Sequence, residues 1–175
     1  MLKITNDISA PKDYTIDGMY VYEDFESGLM TLQKPLLIYT QAFNSQFGFG
    51  RETWLAFITR PKTALDGSSI PIYVSAPLLL NPRDKRLEIA GAGHDDLYRH
   101  QTVELFFFDK EKRELGKPLG SFAITQKDAD DFYYDKIRYS GLDIIRSYIL
   151  YQGLRKFGHH TFNKYKKLNS LSYDI

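Results

Sequence analysis

The sequence contains no cysteine, which excludes disulfide bonds, thiolate metal sites and a thiol nucleophile. This absence suits a reducing compartment. An excess of one charge is also missing, because 23 Lys and Arg residues and 22 Asp and Glu residues leave a formal net charge of +1. Such a balance gives no global attraction to nucleic acid or to an anionic membrane. We therefore expect no nucleic-acid partner.

Long apolar runs are absent as well, because the longest apolar stretches of the sequence are far too short to span a bilayer. Residues 1–10 lack the basic start and the apolar run of a signal peptide. We expect no transmembrane segment and no secretion by a signal peptide. With 175 residues, 43% of them apolar, the chain is long enough to bury roughly 70% of its unfolded surface in one domain with extensions.

The distribution of apolar residues predicts an α+β fold. Short β-prone runs dominate the first 60 residues, and helical spacing of apolar residues begins near Arg83. We predict helices over 83–99, 126–139 and 143–157, the last closed by Gly158. The first two form an antiparallel pair, and a β-hairpin over 102–124 is inserted between them. The predicted division is a β-rich region over 1–60, a helical domain over 61–160 and a tail over 161–175.

Two short motifs carry the chemistry, a DGSSIP turn at 66–71 and an HDDLYR segment at 94–99. The side chains of adjacent helical residues point about 100° apart, so His94 and Asp95 cannot be each other's interaction partners. This division suits a histidine acting as general base and a carboxylate acting as metal ligand. The alternative is that His94 is a packed or solvated helical histidine without a catalytic role.

The base needs a carboxylate to orient its ring, and the next helix offers three. Asp130 shares a stripe with Tyr133, Tyr134 and Ile137, so we expect it to face the core. Asp128 and Asp131 more easily face water. The alternative is an acidic helix start that interacts favourably with the helix dipole. We predict that His94 and Asp130 lie within hydrogen-bond reach.

The turn at Asp66 and Gly67 has two interpretations. Asp-Gly is among the commonest turn signals, so it could be a turn alone. In the functional interpretation, Asp66 and neighbouring carbonyl oxygens join Asp95 around calcium, a hard cation that prefers oxygen ligands. The pairing with His94 and Asp95 favours the second interpretation.

Two other hydrolase types are excluded by the residues present. A phosphohydrolase of the His-Asp type needs a metal-binding histidine before the pair, but the four histidines are His94 and three later ones. A serine hydrolase needs a GxSxG nucleophile elbow, which this sequence lacks.

Residues 63 to about 160 resemble a family of phage- and prophage-encoded proteins of unassigned function. The resemblance lies in the DGSSIP turn, the HDDLY segment at 94–98, the Ala129-Asp130 pair, and a final helix ending near a glycine. This family is similar to a disulfide-free phospholipase A₂. The resemblance implies a phospholipase A₂-like core, with His94 as base, Asp130 as its orienter and Tyr98 bracing the site. It also implies calcium held by Asp66, the Gly67 carbonyl and Asp95.

Two functions from different classes remain open. The first is a calcium-dependent hydrolase of acyl esters, acting on a lipid or another ester substrate. The second is a non-catalytic phage structural, virion or assembly protein whose partners are other phage proteins. The resemblance places either protein in the host cytoplasm or in the virion.

Overall fold

The computed structural model describes residues 13–19, 21–23, 30–60, 64–65 and 84–171. These residues form eight strands and four helices. The strands are β1 (Thr15–Ile16), β2 (Val21–Glu23), β3 (Met30–Leu32), β4 (Leu36–Thr40), β5 (Leu55–Ile58), β6 (Ala64–Leu65), β7 (Thr102–Asp109) and β8 (Glu114–Ala123). The helices are α1 (Asn44–Phe47), α2 (Lys85–His100), α3 (Gln126–Tyr139) and α4 (Ile144–Leu171). The chain is therefore α+β.

The main sheet has five strands in the order β1-β4-β5-β7-β8. The pairing of β1 with β4 is parallel and the other three pairings are antiparallel. The pairing of β5 with β7 sets Leu55 opposite Phe107 and Ala56 opposite Phe106, and so joins the N-terminal strands to the later hairpin. A second sheet has three strands in the order β2-β3-β6.

Helices α2 and α3 begin at the side-chain caps that their sequences favour. The Asp84 side chain accepts a hydrogen bond from the Arg86 backbone at the start of α2. Thr125 and Asp128 form a reciprocal capping box at the start of α3. Tyr98, late in α2, contacts Asp130, early in α3, whereas Leu87 and Ile137 share one apolar cluster. The two helices thus run antiparallel, as predicted.

The main core lies between the five-stranded sheet and the helix pair. Phe132 of α3 meets Phe57 of β5 with ring centroids 5.3 Å apart. Gly93 of α2 allows close packing here, because a Cβ atom would lie 2.7 Å from the Phe132 ring and 2.8 Å from Ile38 Cδ1. The missing side chain brings the backbone of α2 against both the sheet and α3. The segment that carries His94 is therefore fixed from two sides.

The predicted phospholipase A₂-like core is wrong. The strands β7 and β8 are not an insertion between two helices, because they form one side of a sheet that also contains β4 and β5. The physical reason is the pattern of β7, in which Val103 and Leu105 are buried and Glu104 is exposed. Such a strand needs a partner for its free edge and cover for its apolar face, and β5 and the helices supply them.

The predicted end of the last helix at Gly158 is also wrong. Helix α4 continues through Gly158 to Leu171 and includes much of the expected tail. Its second half is anchored to α2, because Gln101 donates to the Phe162 carbonyl and Asn169 donates to the Arg99 carbonyl. The predicted domain boundaries at residues 60 and 160 stay predictions. Among the described helices, none is both long and apolar enough to cross a membrane.

Removing residues 1–62 tests the first of these boundaries. We expect the fragment 63–175 not to fold cooperatively, because β7 loses its partner β5 and Phe132 loses its contact with Phe57. The measurement is thermal melting followed by circular dichroism, with the full chain in the same buffer as control. A fragment with a cooperative transition and native near-ultraviolet signal would show that the helical part folds alone.

Candidate active site

The buried carboxylate of Asp130 is the centre of the candidate site. Its Oδ1 atom accepts hydrogen bonds from Tyr98 Oη at 2.6 Å and from His94 Nε2 at 3.0 Å. Its Oδ2 atom accepts from Arg155 Nη1 at 3.0 Å and from Gln126 Nε2 at 3.2 Å. Asp130 is 0% exposed, so these donors replace its solvation and Arg155 balances its charge. The predicted contact between His94 and Asp130 is confirmed.

The hydrogen bond to Asp130 fixes the state of the His94 ring. A carboxylate accepts only, so Nε2 carries the proton and the neutral ring keeps a lone pair on Nδ1. Nδ1 is buried and has no hydrogen-bond partner among the described residues, since Asp95 Oδ1 lies 4.0 Å away. Burial disfavours the charged ring, but Asp130 and Asp95 outweigh it and raise the pKa of His94 above its usual value. In the neutral ring, which predominates above that raised pKa, Nδ1 is an available acceptor.

Tyr98 reaches Asp130 because α4 presents a glycine at the point of contact. A Cβ atom on Gly158 would lie 2.3 Å from Tyr98 Oη. Burial and the neighbouring Asp130 charge raise the pKa of Tyr98, so its phenol stays protonated and donates. Gly158, expected to end the helix, instead leaves room for the Tyr98 hydroxyl that donates to Asp130.

A cavity of about 130 Å³ lies between α2 and α4 and includes the proposed base in its wall. From α2 it is lined by His94, Asp95, Tyr98 and Arg99. From α4 it is lined by Gly153, Leu154, Phe157, Gly158, Thr161 and Tyr165. Engineered protein cavities of about 150 Å³ admit a benzene-sized molecule, so this space suits part of a small substrate. The Arg99 guanidinium carbon lies 5.0 Å from the Tyr165 ring centroid and gives the cavity a positive group.

Tyr133 contributes a second buried polar atom beside His94. Its side chain is 0% exposed, and its hydroxyl has no hydrogen-bond partner among the residues that the structure describes. The ring lies edge-on to His94, with centroids 5.4 Å apart and planes at 69°. Burial and the Asp95 carboxylate raise the pKa of Tyr133, so the phenol is neutral. An unsatisfied buried hydroxyl costs about 1–3 kcal/mol, which makes this position unusual for a tyrosine.

The third residue of the HDD run has a structural contact. Asp96 is 2% exposed and accepts hydrogen bonds from both the backbone N–H and the guanidinium of Arg60, at 2.8 and 3.0 Å. Arg60 also donates to the Thr102 hydroxyl at 2.8 Å. This network connects the end of β5 to α2 and to the start of β7. It therefore holds helix α2, which carries His94, on the sheet.

The calcium prediction is not tested by the described residues. Asp95 is 6% exposed and lines the cavity beside His94, as a ligand there would. Asp66 and Gly67, its predicted companions, lie outside the described residues. Within the part of the chain that the structure describes, no group of three or more His, Asp or Glu side chains could hold a metal ion. These residues alone do not form a calcium site, and calcium stays a prediction.

Arg155, Gln126 and Tyr133 were not predicted from the sequence. Gln126 could have been found, because it lies four residues before Asp130 on the same helix face. Arg155 could not, because its contact with Asp130 depends on how α4 packs against α3. Tyr133 shares its predicted helical stripe with Asp130, but its position in the sequence indicates no role.

Comparison of the chain with models of protein families, with curated proteins and with solved structures finds no match. The resemblance to phage and prophage proteins therefore stays a prediction. The roles that it implies for His94, Asp130, Asp95, Asp66 and Gly67 stay predictions as well.

Adding a methyl group at Gly158 tests how tightly the site is packed. In Gly158→Ala the new Cβ atom displaces Tyr98 from Asp130, and we expect a loss of about 1–3 kcal/mol in unfolding free energy. The better helix propensity of alanine offsets up to about 1 kcal/mol of this loss. Urea unfolding measures the change. Gly50→Ala is the control, because its Cβ atom makes an ordinary 3.5 Å contact with Thr53 Oγ1. Equal stability of both variants would contradict the packing argument.

The calcium prediction is tested by a thermal-shift titration of the full chain. Calcium held by Asp66 and Asp95 raises the melting temperature by mass action, with about 2.7 kcal/mol of stabilisation at 100 times the dissociation constant. We expect Asp95→Asn to abolish the shift and His94→Ala to retain it, because the base is not a ligand. Magnesium at equal concentration is the control for ionic strength. A wild-type chain that shows no calcium-specific shift would remove calcium from the site.

Proposed function

We propose that the protein is a hydrolase of acyl esters, including lipid esters, in which His94 is the general base. The observation that carries this proposal is the buried pair of His94 and Asp130 at the wall of a cavity. The Asp130 carboxylate accepts a hydrogen bond from Nε2 of the His94 ring. The other ring nitrogen, Nδ1, has no hydrogen-bond partner among the described residues. A base oriented in this way is the usual means of activating water or a hydroxyl group.

The proposed reaction begins with a water molecule hydrogen-bonded to His94 Nδ1. As the water oxygen attacks the ester carbonyl carbon, one water proton moves to Nδ1 and a tetrahedral oxyanion forms. The oxyanion then collapses, the bond to the alcohol oxygen breaks, and Nδ1 returns its proton to that oxygen. The products are a carboxylic acid and an alcohol, and the ring is neutral again. The proton balance is complete with water as the second reactant.

Asp130 acts in this scheme as a positioning residue. Its hydrogen bond keeps the proton on Nε2 and the lone pair on Nδ1, and its charge stabilises the imidazolium that forms during attack. Tyr98 and Arg155 hold the carboxylate in place. With four donors Asp130 is fixed before the substrate arrives, so little reorganisation is needed during the reaction.

The deciding experiment is hydrolysis of a soluble short-chain phospholipid and of p-nitrophenyl butyrate, followed as acid release. We expect His94→Gln to lower kcat by about 10²–10⁴-fold, the usual contribution of a general base. Asp130→Asn removes one acceptor oxygen, and we expect it to lower kcat while KM changes little. His100→Gln, a second histidine on α2 that is partly exposed, is the matched control and retains activity.

Folding of each variant is checked by its melting curve, because Asp130 is buried and its donors lose a partner in the asparagine variant. Activity in the wild type that persists in well-folded His94→Gln would contradict the proposal. No hydrolysis of either ester by the wild type would also contradict it.

A non-catalytic role in phage structure or assembly is the second candidate, and one observation favours it. The first turns of α4 expose Ile144, Ile145, Tyr148 and Ile149, with Ile145 69% exposed. Such a cluster of exposed apolar side chains is typical of a protein-contact surface. The absence of both hydrolysis and a calcium shift in the wild type would make this the better proposal.

A further inference from the structure

We propose that Tyr133 positions the hydrolytic water at His94, as the second protein group that binds it. The inference rests on the proposed function and assigns to Tyr133 a role that the His94–Asp130 pair does not supply. It concerns a small polar site between α2 and α3 beside His94, the residue of the pair that also lines the cavity.

Two buried atoms on facing helices define this site. His94 Nδ1 belongs to α2 and Tyr133 Oη to α3, and both lack a hydrogen-bond partner among the described residues. The two rings are in contact, with centroids 5.4 Å apart. Buried polar groups in proteins are nearly always paired with protein or with ordered water. Two such atoms on adjacent rings therefore indicate one small molecule bound by both.

The chemistry of the two atoms suits water. Nδ1 is an acceptor, because the proton of the neutral ring is held on Nε2 by Asp130. The Tyr133 phenol is a donor in this setting. A water molecule can donate to Nδ1 and accept from Tyr133, and Asp95 Oδ1 lies 4.0 Å from Nδ1. Buried waters typically make about three hydrogen bonds, so this set of groups is sufficient.

The hydrogen bond from Tyr133 restricts the orientation of the water molecule. A water held by His94 alone can rotate about one hydrogen bond, whereas a second contact fixes where its remaining lone pair points. Fixing the nucleophile in an attack geometry is a general source of rate acceleration. Tyr133 contacts neither substrate nor a transferred proton in this scheme, so its effect falls on kcat and not on KM.

The kinetic test compares Tyr133→Phe with Tyr134→Phe, the same substitution at the next residue. Tyr134 packs against the Tyr151 ring, with ring centroids 5.5 Å apart, whereas Tyr133 packs against His94. We expect Tyr133→Phe to lower kcat about tenfold with KM unchanged, since one hydrogen bond is lost in the transition state. We expect Tyr134→Phe to retain the wild-type values. Equal kcat in both variants overturns the positioning role.

A second measurement does not depend on turnover. A high-resolution crystal structure of the full chain is expected to show a water within about 3.2 Å of both Nδ1 and Tyr133 Oη, and its loss in Tyr133→Phe. The melting temperature should fall or stay constant in that variant. A rise would mean that the hydroxyl was unsatisfied, and would overturn the inference. So would a side chain in the place of the water. If the water is present but the wild type hydrolyses no ester, the proposed function fails and the binding site stands.

Discussion

The burial of one carboxylate determines how the three long helices are arranged. Removing a carboxylate from water costs several kcal/mol unless its oxygens find donors and its charge finds a partner. Asp130 receives two donors from α2, one from its own helix and one from α4. No single helix could supply this set, so the carboxylate is stable only where all three helices meet. The packing of the three helices around Asp130 also places His94 at the wall of a cavity. The stability of the fold and the proposed chemistry thus both require that Asp130 keep its donors.

The parts of the site that could be predicted from sequence are those governed by local rules. Helix α3 has the predicted bounds because Thr125 and Asp128 form a cap at one end and Gly141, with φ of 91°, follows the other. The contact of His94 with Asp130 was predictable because both residues lie at apolar-face positions of neighbouring helices. In the first case a few consecutive residues contain the necessary information, and in the second the position of each residue on the apolar face of its own helix does.

The parts that could not be predicted depend on contacts between distant segments. The strand β7 has the same local pattern in an isolated hairpin and in a sheet, and only its pairing with β5 distinguishes them. Gly158 is similarly ambiguous, because glycine ends many helices and also permits close packing inside one. Its role depends on Tyr98, which is far from it in sequence. The resemblance to phospholipase A₂ led to the wrong fold because it rested on the helical motifs and left the strands unassigned.

The pairing of β5 with β7 also has a consequence for the order of folding. These strands are joined by a long stretch of chain that includes all of α2, so their pairing closes a loop that carries His94. Loop closure costs entropy before any contact repays it, and proteins rich in such distant pairings fold slowly. Helices α2 and α3 can form early from local interactions, but Asp130 acquires its full set of donors only after α2 has packed against α3 and α4 has docked. A chain with intact but undocked helices therefore contains every residue of the site without having assembled it.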